Sequence, residues 1–161
     1  MTQPDFLRLL LSIDFPMKYW ALCDRYPRNP QASYPGQKTE VLSAFQEVDA
    51  NPRYDSRDRS YEVEAEVISG LEWSALFVMQ RSGPELMMSA VGSSGTIGSN
   101  FAVLAYDAKV LEDPTFSRSP FSGPVPYPRP DAASPEALRS LIRDFIVLVR
   151  EIKAALQAHP A

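Results

Sequence analysis

The chain has 161 residues, of which 45% are hydrophobic and 22% charged, proportions that exclude a wholly disordered protein. At this length one domain spanning 1–161 is expected, able to bury roughly 70% of the surface its unfolded form exposes, without staples. A formal net charge of -4 argues against broad binding to nucleic acid or anionic membrane, because both depend on clustered Lys and Arg.

No apolar run approaches the roughly 20 residues that a membrane-spanning helix needs. Phe6–Ile13 is preceded by Asp5 and interrupted by Arg8, which makes a poor signal peptide. The single cysteine, Cys23, excludes an internal disulfide framework and fits a reducing compartment. A cytoplasmic location is therefore expected.

In chain order, Pro4 and Asp5 suit the first turn of a helix, and Phe6, Leu7, Leu10 and Leu11 recur at helical spacing. Asp14-Phe15-Pro16 interrupts that run before Met17, Trp20 and Ala21 resume it, so a broken helix is expected from Pro4 to Asp24. Arg25–Lys38 reads as an irregular loop carrying Tyr26 and Tyr34. Thr39–Ala50 fits a helix with Thr39 as its N-cap and Asn51-Pro52 beyond its end. The alternative for this stretch is an edge strand pairing with Tyr61–Ile68 across the charged connection Arg53–Arg59.

Strands follow. In Ser60–Ile68, Tyr61, Val63, Ala65 and Val67 alternate with Glu62, Glu64 and Glu66, which predicts a half-buried strand with an acidic outer face. After the Ser69-Gly70 turn, Leu71, Trp73, Ala75, Phe77 and Met79 resume the alternation. Leu76 and Val78 make the end of this second strand apolar on both faces, as in the middle of a sheet. Arg81-Ser82-Gly83-Pro84 is a turn signal, Leu86–Val91 a third strand, and Gly92–Asn100 a glycine-serine connection to a fourth strand, Phe101–Tyr106. Such short spacing favours antiparallel pairing, because parallel crossovers need a dozen or more residues.

Glu112–Ala133 carries Pro114, Pro120, Pro124, Pro126, Pro128 and Pro130. It is expected to be extended or polyproline-like, anchored across the domain by Phe116, Phe121 and Tyr127. Ser134 then caps a helix with Pro135 at N1, and Leu138, Leu141, Ile142, Phe145, Val149, Ile152 and Leu156 form its apolar stripe. The expected fold is α+β: an antiparallel β-meander of three to five strands packed against a C-terminal amphipathic helix, with a broken N-terminal helix.

The residue types present exclude most kinds of chemistry. The sole histidine, His159, and the sole cysteine are far apart in sequence, so no zinc cluster is legible and no metal or cofactor is expected. Asp49, Asn51 and Asp55 superficially match a calcium loop, but Arg53 and Ser60 occupy ligand positions. A Ser93 or Ser94 nucleophile with His159 and Asp107 lacks the strand-to-helix elbow spacing. Gly92, Ser93, Ser94, Gly95, Thr96 and Gly98 could offer amides and hydroxyls to an anion, although neither the P-loop nor the dinucleotide pattern is present.

These features favour a non-enzymatic protein-binding module, of the general kind represented by small adaptors, secretion chaperones or immunity proteins. Its expected contact residues are Glu62, Glu64, Glu66, Phe116, Phe121 and Tyr127. The partner would be another protein rather than nucleic acid or membrane, and a homodimer is compatible with the sequence. The alternative is a small-ligand-binding protein or enzyme, with an apolar pocket lined by Trp73, Phe77, Met87 and Tyr106 and anion contacts at Gly92–Asn100.

Overall fold

The structure is a computed structural model, and it describes residues 1–28, 34–81, 83–117 and 128–159. Thr2 begins the first helix, α1 (Gln3–Ser12), through a capping box with Asp5. Asp14, at φ 57°, turns the chain sharply before α2 (Phe15–Arg25), which starts with Pro16 in its first turn. The expected break is therefore a change of helix direction. Helix α3 (Lys38–Gln46) confirms the helical reading of the next segment, although Gln37 rather than Thr39 is its N-cap. There, the Glu40 carboxylate accepts hydrogen bonds from Gln37 N at 2.9 Å and from the Tyr34 hydroxyl at 2.5 Å.

Five strands follow: β1 (Arg53–Asp55), β2 (Ser60–Ile68), β3 (Leu71–Gln80), β4 (Gly83–Gly92) and β5 (Gly95–Asn100). They form one antiparallel sheet in sequence order. The edge strand β1 comes from the charged connection, not from Thr39–Ala50.

Two further expectations are corrected. The glycine-serine connection is itself strand β5, joined to β4 by only Ser93-Ser94. At Gly98, φ is 111° and a Cβ would lie 2.3 Å from the Met88 carbonyl oxygen, so glycine allows this backbone to close on its neighbour. The expected fourth strand, Phe101–Tyr106, instead opens a helix, α4 (Phe101–Glu112). Asn100 caps it, its Oδ1 accepting from Val103 N at 2.9 Å. Phe101, Ala102, Leu104, Ala105 and Ala108 bury one helical face, a spacing that a short apolar run does not distinguish from a strand.

The last helix, α5 (Pro135–Ala158), is the predicted one, with Ser134 capping Ala137 N at 3.1 Å. Phe145 lies at the centre of the core, with ring centroids 5.5 Å from Phe77 of β3 and 5.8 Å from Phe101 of α4. The aromatic contacts continue from Phe77 to Phe45 and Tyr61, and from Phe101 to Phe15 and Tyr19. One core thus joins all the helices to a single face of the sheet.

The described ends of the proline-rich segment are fixed against α2. Phe116 stacks on Trp20 at 5.5 Å, Tyr19 donates its hydroxyl to Pro128 O at 2.6 Å, and Asp131 N donates to Tyr26 O. Phe121 and Tyr127 lie outside the described residues.

Candidate interaction surface

Residues directly opposite one another in a sheet point to the same side. Tyr61, Val63, Trp73, Ala75, Phe77, Leu86, Met88 and Ala90 form the core side, all nearly inaccessible. The opposite side is formed by Leu76 across from Met87, Val78 across from Glu85, Ser74 across from Ser89, and Glu72 across from both Val67 and Val91. Val78 is buried, yet it stands outside the contiguous core, and neither Leu76 nor Met87 packs against that core. At one end Val67 is 71% and Val91 43% exposed. The two central strands therefore present an apolar strip outward, narrowed in the middle by Ser74 and Ser89. Glu62 and Glu85 lie at its margins, and Glu72 stands between Val67 and Val91.

The sheet edges suit strand addition poorly. On β5 the Gly98 N–H donates to the Gln3 side chain of α1 at 3.0 Å, so one backbone donor is already satisfied. On the other side β1 covers only Ser60–Glu62, and beyond it β2 is bulged. Capped and bulged edges resist pairing with another chain.

That bulge changes the placement of the predicted glutamates. Val63 pairs with Ala75 but Glu66 pairs with Trp73, so Glu64 and Ala65 together oppose Ser74. Glu64 is left-handed, with φ 55°. The side-chain alternation is reset there, contrary to the single acidic face expected from the sequence. Glu62 remains outward, paired with Arg53 at 2.6 Å. Glu66 crosses to the helix side, where Lys153 and Gln157 reach it at 3.3 and 2.9 Å.

Glu64 accepts from Arg150 Nε at 2.9 Å and from Lys153 Nζ at 2.6 Å. Burial by itself would raise its carboxyl pKa, but these two cations outweigh burial and hold it below the ordinary value. All three glutamates line a cleft of about 480 Å³ with Asp49, Asn51, Arg53 and Lys153. The structure thus brings them together, but with their charges engaged within the chain.

The expected ligand residues divide. Gly92, Ser93 and Ser94 line a cleft of about 440 Å³ with Ser69, Gly70, Asp5, Leu156 and His159. Gly95, Thr96 and Gly98 belong to β5. Asp107, proposed as an orienter, is on α4 and does not line this cleft. The four residues of the expected apolar pocket are also separated: Trp73 and Phe77 are in the core, Met87 is on the outer face, and Tyr106 packs near Phe116. Among the described residues, no group of three or more His, Cys, Asp or Glu could hold a metal ion, and no helix is long and apolar enough to cross a membrane.

Comparisons with protein-family models, curated proteins and solved structures find no match for this chain. In sequence the outer strip reads as the middle of a sheet. Its signal was the apolar pair Leu76 and Val78 at positions of the wrong parity, which also fits a strand buried on both faces.

Proposed function

We propose that the protein is a cytoplasmic, non-enzymatic protein-binding module that docks its partner on the outer face of the sheet. The observation that carries this reading is the strip of Leu76, Met87, Val91 and Val67, which the protein's own core does not use. Apolar patches at the centre with charged margins are the usual anatomy of a docking surface. Glu62 and Glu85 are already matched by Arg53 and Arg129 at 2.6 and 3.8 Å, so the charge that a partner meets within the strip is that of Glu72, which a basic group set in an apolar surface complements. Two copies facing each other here would each bring Glu72 to the shared face, so the charge pattern favours a different protein over self-association.

The test is capture by tagged wild-type protein followed by mass spectrometry of the intact complex, compared with Met87→Glu and Val91→Glu. Met17→Glu, on an exposed position of α2, is the control. A stoichiometric partner retained by wild type and control and weakened at least about tenfold, or ~1.4 kcal/mol, by the two sheet variants supports the reading. Equal capture by all four proteins rejects this face as the contact.

A small-ligand site is the second reading, favoured by the meeting of Ser69, Ser93, Ser94 and His159 around one cleft. Asp5 and the carbonyl end of α5 make this cleft better suited to an uncharged or cationic ligand than to phosphate. Titration with phosphate and with a small polyol, followed through the amide signals of Ser69–Leu71 and Gly92–Ser94, separates these chemistries. Unmoved signals at millimolar concentration of both would remove the site.

A further inference from the structure

We propose that the Glu64–Gly70 segment has two registers against β3, and that Arg150 and Lys153 of α5 latch it in the observed one. The observed register requires two non-glycine residues in the left-handed region, Glu64 at φ 55° and Ser69 at φ 50°. Both follow from one extra residue held in the strand as a bulge, which leaves only Ser69-Gly70 for the turn.

Moving that extra residue into the turn relieves both. Pairing would then run regularly, with Glu64 opposite Ser74, Ala65 opposite Trp73, Glu66 opposite Glu72 and Val67 opposite Leu71, joined by Ile68-Ser69-Gly70. A three-residue hairpin loop ending in a left-handed residue is a common connection. Gly70, already at φ 80°, would be that residue. This second register is the one that the alternating pattern from Tyr61 to Val67 encodes.

Four features oppose it. Glu64 would leave Arg150 and Lys153, Glu66 would leave Lys153 and Gln157, and Ile68, now 4% exposed, would leave the core side. Glu66 would also face Glu72, a like-charge pair. In return Val67 would be covered. The balance between strained backbone and ion pairs makes the segment a two-state element. Its change of state would replace an exposed valine on the outer face with glutamates. That consequence for docking rests on the outer-face reading, whereas the register does not, and the experiment below involves no partner.

Cross-strand backbone NOEs on the isotopically labelled full chain distinguish the registers. The Arg150→Gln/Lys153→Gln variant removes the latch without touching the strand, and Glu64→Gln removes it from the other side. In either variant the Glu66–Glu72 and Val67–Leu71 contacts are expected, at a population above the roughly 10% limit of a hidden minor state. Adding Ser69→Gly, which eases the two-residue turn, should restore the Val67–Glu72 contact. Retention of only the observed contacts in both latch variants, unfolding of both, or no return with Ser69→Gly overturns the proposal.

Discussion

The ammonium of Lys153 stands 2.6 Å from the carboxylate of Glu64, so the last helix grips the only left-handed residue within β2. A pair this close also fixes which way the following residues point. Glu66 turns toward α5, and Val67 turns outward, across Glu72 from Val91. The outer face is thus set partly by an ion pair on the other side of the sheet.

The pair gives a pH prediction. Glu64 titrates below its ordinary value in the folded protein, so its contribution is present above the unfolded pKa and is lost as pH falls through the folded one. Burial would lower the Lys153 pKa, but bonding to Glu64 and Glu66 raises it overall, so its contribution disappears only as pH rises through that raised value. The stability advantage of wild type over Glu64→Gln should therefore be flat near neutrality and shrink below about pH 4.5, close to the ordinary carboxyl range. Urea midpoints from pH 7 to pH 3 measure it; an advantage that grows in acid would contradict the assignment.

Two tyrosines set the alkaline limit. Burial, followed by the hydrogen bond to Asp144, pushes Tyr26 up to about 12, and burial likewise pushes Tyr61 up to about 12. Each stays protonated in the fold after its unfolded counterpart has ionised, so stability is lost as pH rises from about 10 towards 12. Ultraviolet titration should show two tyrosines ionising together with unfolding, and Tyr61→Phe should remove one of them.

Gly98 and Gly95 offer a matched comparison. Both have positive φ, but a Cβ at Gly95 meets nothing within 4 Å, whereas at Gly98 it meets Met88 O at 2.3 Å. Gly95→Ala should cost about 1 kcal/mol from backbone strain. Gly98→Ala should cost about 2 kcal/mol more, because the strands must separate. Equal losses in chemical denaturation would show that the close approach is relieved by other means.

Phe145→Ala should destabilise the protein by about 3–5 kcal/mol, the cost of a large cavity in a well-packed core. It removes the ring between Phe77 and Phe101. Val147→Ala, two residues on and 54% exposed, should stay within about 0.5 kcal/mol. Thermal and denaturant unfolding of the two variants tests which face of α5 supports the fold.

The α5 stripe, the helix break at Asp14-Phe15-Pro16 and the Leu71–Met79 alternation are local patterns, and each maps onto an observed element. Phe101–Tyr106 does not, because its apolar residues fit either period and the deciding feature is the Asn100 cap. Gly95–Asn100 was equally hidden, since glycine in an open turn and glycine pressed against a neighbouring strand look the same in sequence. The site divides along the same line. Glu62, Glu64 and Glu66 are legible as an acidic alternation, but their charge partners are on strand β1 and on a helix more than eighty residues away.

Composition and periodicity by themselves determined an α+β domain with an antiparallel sheet and an amphipathic final helix, because burial of apolar area acts on each element's own pattern. Only tertiary structure decided the direction of each β2 side chain after Val63, through one bulge and the cations that meet it. Periodicity assumes an unbroken register, and one inserted residue reverses every side chain beyond it. Which β2 residues stand on the outer face of the sheet is therefore decided where β2 meets α5.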